Sequence, residues 1–245
     1  MAGLFSLFKG RAKEPPMCSA VVAAAGSARR MEGVDKVLAP LGELPVLVHT
    51  LYALQDCPDI SEVIVVTRED LLVETGRLCR QYGLDKVKKV VVGGKERLHS
   101  VQAGLREVSR EAAVIAIHDG ARPLASAGLI SQVVQCALRT GAAAPALPLT
   151  DTVKRVEEEL AVETVDRSAL RAVQTPQVFD ADLIRAAVQK ALDDGEALTD
   201  DCGAVERMGM KVSLVPGSRE NLKLTTPIDF LIAEAILEAR GRGEL

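Results

Sequence analysis

The sequence predicts an α/β fold, a mostly parallel sheet with helices on both faces. Three observations predict it. Short apolar runs alternate with amphipathic stretches of helical length along most of the chain, so that strands would be joined by crossover helices. Of the 245 residues 48% are hydrophobic but only 2% are aromatic and none is Trp, so the core must be built from Ala, Val, Leu and Ile, which suits strands buried on both faces. The loops rich in charge or glycine all follow apolar runs: Arg29 and Arg30 after the first, Gly93 and Gly94 after the third, Asp119 and Arg122 after the fourth. In a Rossmann-like, doubly wound sheet such loops gather at the carboxyl edge, where ligands bind.

Each element follows in order. The leader "MAGLFSLFKGRAKEPP" has an apolar run too short for a secretory signal, and its charges follow the run. Residues 1–16 are expected to be a flexible leader, with weak membrane or partner contact as the alternative, and 17–245 a single domain. "CSAVVAAAG" is the first strand. "PVLVHTLYALQDC" is a helix, with Val46, Leu47, Leu51 and Leu54 on one face. "EVIVVT" is the second strand and "EDLLVETGRLCRQYG" a helix closed by Gly83. "KVKKVVVGG" is the third strand, followed by the helix "LHSVQAGLREV". "AAVIAIHDGARP" is the fourth strand, ending in a charged loop, and "ASAGLISQVVQCALRTG" is a helix closed by Gly141. "AAAPALPL" is a fifth strand, interrupted by proline. The rhythm then breaks: "DTVKRVEEELAVETVDRSALRAVQTP", 151–176, has short β-like pieces around a polar turn and reads as a projecting hairpin or arm. A last helix opens with Thr226 as cap, Pro227 and Asp229, and its stripe of Phe230, Ala233, Ile236 and Leu237 is expected to pack on the sheet.

Composition excludes several function classes. Lys plus Arg total 30 against 34 acids, a net charge of −4, with no basic block to neutralise a nucleic-acid backbone. Scarce aromatics argue against single-strand stacking. No apolar run approaches the 18 or so residues of a membrane span. The five cysteines are scattered singly, without a C-x-x-C pair, as in a reduced cytoplasmic protein.

Chemistry concentrates in a few stretches. "AAAGSARRMEGVDK" ends a strand in small residues and three cations, Arg29, Arg30 and Lys36; backbone N–H groups and these cations suit a triphosphate, though a plain strand–helix turn with surface cations is the alternative. It is neither a G-x-x-x-x-G-K-[ST] loop nor G-x-G-x-x-G, because Ala28 stands where the second glycine would be. "GGKERLHSV" offers close backbone approach at Gly93 and a hydroxyl at Ser100. "HDGARP" delivers Asp119, a natural Mg²⁺ ligand beside phosphates, and Arg122, an anion contact; His118 reads as structural. "ALTDDCGAVE" places Asp200 and Asp201 before a helix, where the pair could help hold a metal or, the favoured reading for one of them, cap the helix. "ENLKLTTP" reads as a polar strand bearing Asn221 and Lys223.

In order along the chain, "AAGSARRM…K", "GGKERLHSV", "HDGARP", "DTVKR", "TVDR", "QTPQVF", "LTDD" and "NLKLTTP" closely resemble the 2-C-methyl-D-erythritol 4-phosphate cytidylyltransferase family, from about Cys18 to Glu238. The resemblance implies a glycosyltransferase-A-like nucleotidyltransferase fold whose arm, about 150–176, interlocks with a second subunit as a homodimer. It implies transfer of CMP from CTP to methylerythritol phosphate, with release of pyrophosphate, in the non-mevalonate isoprenoid pathway, requiring Mg²⁺ or another divalent cation. By the resemblance, Arg30 and Lys36 stabilise charge in the transition state, and Ala24, Ala25, Gly26, Gly93 and Ser100 shape the nucleotide pocket. Asp119 lies by the ribose and metal. Arg167 and Lys223 position the sugar phosphate, and Arg122, Thr152 and Thr175 line its site. The chain departs from the family pattern at Ala28 and Gly120, where glycine and alanine are common, and at Val37 and Leu38, where Gln and an aromatic are frequent. Ribitol 5-phosphate cytidylyltransferase, which shares the chemistry, and a non-catalytic nucleotide-binding protein on the same fold stand as alternatives; a nicotinamide dehydrogenase fails on the missing glycine fingerprint.

Overall fold

The computed structural model describes residues 17–26 and 36–245. The elements run β1 (Cys18–Ala23), the paired short strands β2 (Pro40–Leu41) and β3 (Leu44–Pro45), α1 (Val46–Asp56), β4 (Glu62–Thr67), α2 (Leu72–Gln81), β5 (Val87–Val92), α3 (Arg97–Glu107), β6 (Val114–Asp119), α4 (Ala127–Thr140) and β7 (Ala142–Pro148). There follow β8 (Val153–Glu157), β9 (Leu160–Val165), β10 (Arg171–Val173), β11 (Gln177–Asp180), α5 (Ala181–Asp193), α6 (Asp201–Arg207), β12 (Ser213–Pro216) and α7 (Pro227–Gly241).

The main sheet continues from β7 through β11, β6, β1 and β4 to β5. β6, β1, β4 and β5 are parallel, as crossovers through helices require. β11 is antiparallel to both β6 and β7. β7 carries β12 along one side and β10, then β11, along the other: Ala143 is flanked by Ser213 and Val178, and Ala146 by Pro216 and Val173. The register between Val173↔Ala146 and Val178↔Ala143 leaves two extra residues on the β10–β11 side; the Gln174 N–H still donates to the Pro145 carbonyl at 2.8 Å, and Thr175 and Pro176, joined by a cis bond, bow out of the ladder.

Alternation along the strands divides the core. Ala20 and Val22 point to the face covered by α1 and α4, where Leu47, Leu51, Leu54, Ile130 and Val133 pack. Val21, Ile64, Val66, Ile115 and Ile117 point to the other, covered by α3, α5 and α6 through Val101, Leu105, Ile184, Val188 and Val205. Gly104 lets α3 close on the sheet, for a Cβ there would lie 2.4 Å from Val21 Cγ1.

Two sequence expectations are corrected, and some elements were not anticipated. The strands β11 and β12 and the helix α5 are additions to the expected pattern: the two strands have four residues each, too few to show a period against their flanking proline and helix cap. "ENLKLTTP" forms no strand; it runs as irregular chain, tied by the Leu224 N–H donating to the Ala121 carbonyl at 2.9 Å. The stripe of α7 packs in a third cluster with Leu41, Val46, Leu124 and Leu224, not on the sheet. Its N-terminus is capped as read, with Asp229 Oδ2 accepting from the Thr226 N–H at 2.7 Å.

β8 and β9 pair only with each other and form a hairpin outside the main sheet. Almost every residue from Lys154 to Thr164 is exposed, including the apolar Val156, Leu160 and Val162.

Candidate active site

The carboxyl ends of β1, β4, β5 and β6 open into one cleft of about 610 Å³. Ala24, Ala25 and Gly26 form one wall, continuing β1, and Lys36 and Val37 stand beside them. The segment 27–35, with Arg29 and the expected Arg30, lies outside the described residues. Gly93 closes on Ala25 and Ser100 so tightly that a Cβ would come within 2.6 Å of the Ala25 Cβ and 2.7 Å of the Ser100 Oγ. Ser100 is buried, and its hydroxyl accepts from the Gly94 N–H at 3.1 Å and donates to the Glu96 carbonyl at 3.2 Å. It braces the glycine loop from within.

Asp119 ends β6 on the cleft floor, with its side chain about 10% exposed. Three cations surround it: Lys223 Nζ at 2.9 Å from Oδ2, Arg122 Nε at 3.4 Å from Oδ2, and Arg97 Nη2 at 4.0 Å from Oδ1. Burial alone would raise its pKa, but Lys223, then Arg97 and Arg122, more than offset that and hold it at about 2. The carboxyl is therefore ionised at any working pH. Lys223 lines the cleft with Asp119.

Arg122 does not line the cleft. Its guanidinium is buried, donating from Nη1 to the Asn221 carbonyl at 2.6 Å, and it ties the β6 loop to the chain before α7. Thr175, on the bulge between β10 and β11, is buried behind Asp119; its hydroxyl oxygen accepts the Asp119 N–H at 3.0 Å and lies 3.0 Å from His118 Nδ1. Arg122 and Thr175 thus stand beneath the floor. Thr152 and Arg167 are exposed and belong to the approach to the hairpin and its return, outside the cleft lining; Arg167 donates to the Thr150 carbonyl. Lys36, Asp119 and Lys223 come together in the cleft and Arg167 does not join them.

His118 is structural, as the sequence suggests. It is fully buried, burial pushes its pKa down to about 4, and it does not line the cleft. Asp200 caps α6 by accepting from the Gly203 N–H at 3.0 Å. The Cys202 thiol is buried, and burial pushes its pKa up, so it is held protonated.

The sequence reading did not single out Arg68, Glu69, Lys95, Glu96 or Arg97, which also line the cleft. Arg97, at the first turn of α3, donates from Nη1 and Nη2 to the two carboxylate oxygens of the fully buried Asp201 at 2.8 and 2.5 Å. Burial would lower its pKa, but Asp201 and Asp119 raise it further. A helix N-terminus disfavours a cation, so an Arg in a first turn calls for a buried or bound anion; that was the signal available.

Among the described residues no cluster of three or more potential ligands could hold a metal by protein groups alone. Asp119, ionised on the cleft floor, is a carboxylate of the kind that with substrate phosphates would hold Mg²⁺, an ion commonly bound by one or two carboxylates. Among the described residues no helix is long and apolar enough to cross a membrane.

Over residues 18–239 the chain matches the family model described as 2-C-methyl-D-erythritol 4-phosphate cytidylyltransferase. It is 45% identical over 225 residues to the protein of that name from Halalkalibacterium halodurans, covering 91% of this chain and 98% of the relative, and 41% identical over 226 residues to that from Syntrophus aciditrophicus, covering 91% and 97%. Its fold is similar to the crystal structure of the 4-diphosphocytidyl-2C-methyl-D-erythritol synthase from Anaerococcus prevotii, with a TM-score of 0.81 at 30% identity over 91% of this chain and 96% of that one. The cytidylyltransferase from Thermus thermophilus gives 0.76 at 34% identity over 89% and 98%.

Proposed function

The chain belongs to the 2-C-methyl-D-erythritol 4-phosphate cytidylyltransferase family, and we propose that its cleft joins the two phosphates of that reaction: the phosphate of 2-C-methyl-D-erythritol 4-phosphate attacks the α-phosphorus of CTP and pyrophosphate leaves. The products are 4-diphosphocytidyl-2-C-methyl-D-erythritol and pyrophosphate, in the non-mevalonate isoprenoid pathway.

The observation that carries the residue assignment is the convergence of Lys36, Arg97 and Lys223 on a cleft floored by one ionised carboxylate and walled by small residues. Two anions must meet, and the nucleophile is already ionised. No strong general base is required, which agrees with a buried His118 outside the cleft. What the reaction needs is charge neutralisation and in-line placement. Lys36, with Arg30, neutralises the triphosphate and the departing pyrophosphate. The wall of Ala24, Ala25, Gly26 and Gly93 admits the cytidine, with Ser100 as its brace. Lys223 serves the methylerythritol phosphate. Mg²⁺, when bound through phosphate oxygens and Asp119, supplies further charge stabilisation on the phosphates.

Arg167 and Thr152 act from a second subunit. The support is that both are exposed near a hairpin that pairs only with itself and carries exposed Val156, Leu160 and Val162. A homodimer interlocked through 150–176 would bury that surface. The reaction belongs in the cytoplasm, where buried free thiols stay reduced.

The test is pyrophosphate release from purified protein with CTP and Mg²⁺, with methylerythritol 4-phosphate and ribitol 5-phosphate offered in parallel. Release with the first alone, lost in Lys36→Ala and Arg167→Ala, is the expected result. Release with ribitol 5-phosphate alone would move the protein to the polyol branch. Release with neither, despite CTP binding, would end the enzyme reading.

A further inference from the structure

Asp119 does not stand freely between its cations. Its Oδ2 accepts from Lys223 and faces Arg122, while its Oδ1 faces Arg97. Arg97 is itself immobilised. Both terminal nitrogens of its guanidinium donate to Asp201, whose side chain is 0% exposed and sits at the first turn of α6, outside the cleft lining. The α6 terminus is fixed in turn by Gln177 of β11, whose Oε1 accepts the N–H groups of Asp201 and Cys202 at 3.0 Å and whose Nε2 donates to Asp200 at 2.9 Å. A planar fork held at both ends has a defined direction, unlike a lysine in the same place.

We propose that the buried Arg97–Asp201 pair is a positioning device for the transfer reaction: it holds one oxygen of Asp119 away from Lys223, and so keeps the Lys223 ammonium available to the incoming polyol phosphate. Without Arg97, the Asp119 carboxylate turns wholly toward Lys223 and Arg122, and a closer, bidentate pair with Lys223 competes with substrate. Asp201 thereby affects the reaction without touching a substrate. This rests on the assignment of Lys223 to the polyol phosphate made above.

A purely architectural role makes a different forecast. Replacing a buried ion pair by apolar residues of similar volume is often neutral or stabilising. The double variant Arg97→Met/Asp201→Leu therefore separates the roles. Its melting temperature is expected to stay near that of the parent, while kcat falls about 10- to 100-fold, as for small misplacements at a reacting centre. KM for methylerythritol 4-phosphate is expected to rise and KM for CTP to stay within about threefold. In the single variants, Arg97→Lys keeps the charge without the fork and falls between, and Asp201→Asn loses turnover in the parent but nothing further beside Arg97→Met, the mark of residues acting as one unit. A crystal structure of the double variant is expected to show the Asp119 carboxylate rotated onto Lys223. A folded double variant with kcat and both KM values within about twofold of the parent overturns the proposal. So does a loss of turnover with the Asp119 carboxylate unmoved, which would make Arg97 a direct substrate contact. If the parent itself turns over neither polyol phosphate, the functional assignment fails, and the position of the carboxylate in the double variant alone decides whether the pair places Asp119.

Discussion

Gly93 has no room for a methyl group, and this single constraint links the backbone to the shape of the cleft wall. A Cβ there would overlap both Ala25 and Ser100, the wall and the brace of the cleft. Gly93→Ala must push them apart, at a cost of about 1–3 kcal/mol for overpacking. The displaced wall should raise KM for CTP more than it lowers kcat. Thermal unfolding with steady-state kinetics checks this, and an unchanged KM would mean the close approach serves packing alone. Lys223 makes a complementary case. Lys223→Ala removes the nearest cation from Asp119 and the proposed contact to the substrate phosphate, and should lower kcat/KM by about 30- to 1000-fold, the range for losing one preorganised charge contact. Gly93 was legible as part of a glycine pair closing an apolar run, whereas Lys223, in the polar stretch "ENLKLTTP", stood out only by its neighbours and by the family resemblance. Arg97 was not legible. It opens α3, ahead of the apolar positions, where a cation reads from sequence as solvated, and its counter-ion Asp201 lies 104 positions away, brought to it only by the folded chain.

At the scale of elements, the parallel strands and their helices were legible because each repeats its period several times. The strand β11 was not, although it completes the sheet between β6 and β7, because four residues after a proline show no period. The bulge beside it explains why Thr175 sits behind Asp119: two extra residues are forced out of the ladder at the site's floor. The hairpin of β8 and β9 makes the sharpest prediction. If Arg167 serves the cleft of a partner subunit, Lys36→Ala and Arg167→Ala homodimers are each inactive, but mixing them forms heterodimers with one intact site of two. Equal mixing with subunit exchange should restore about a quarter of parental activity, since half the dimers are mixed. Pyrophosphate release before and after mixing reads this directly. No recovery, in a preparation shown by mass spectrometry to contain heterodimers, would place Arg167 in the cleft of its own subunit.

For the molecule as a whole, β6 sets how the protein meets acid. It runs through the centre of the sheet and buries two titratable groups in succession, His118 and Asp119, with opposite consequences for the sign of their charge. His118 takes up its proton at about 4 in the folded chain, against an ordinary 6.5, chiefly because burial penalises the charged ring. As pH falls through 6.5 the unfolded chain gains a proton that the folded chain refuses, so stability declines down to about pH 4 and this contribution then levels off. At roughly 1.4 kcal/mol per unit, the loss in that window approaches 3 kcal/mol. Asp119 acts later: its folded pKa of about 2 lies below the ordinary 3.8, so its stabilisation is complete above 3.8 and is lost as pH falls from there toward 2. Two acid-driven steps follow, histidine first. Melting temperature against pH should therefore fall between 6.5 and 4 while Asp119 stays ionised, so activity lost in that range should track unfolding and return on neutralisation. His118→Asn supplies an acceptor for the Thr175 hydroxyl without a titrating ring. Its melting curve should be flatter across that window and rejoin the parental slope below pH 4. A variant whose melting temperature falls as steeply as the parent's between 6.5 and 4 would show that His118 does not set the acid limit of the fold.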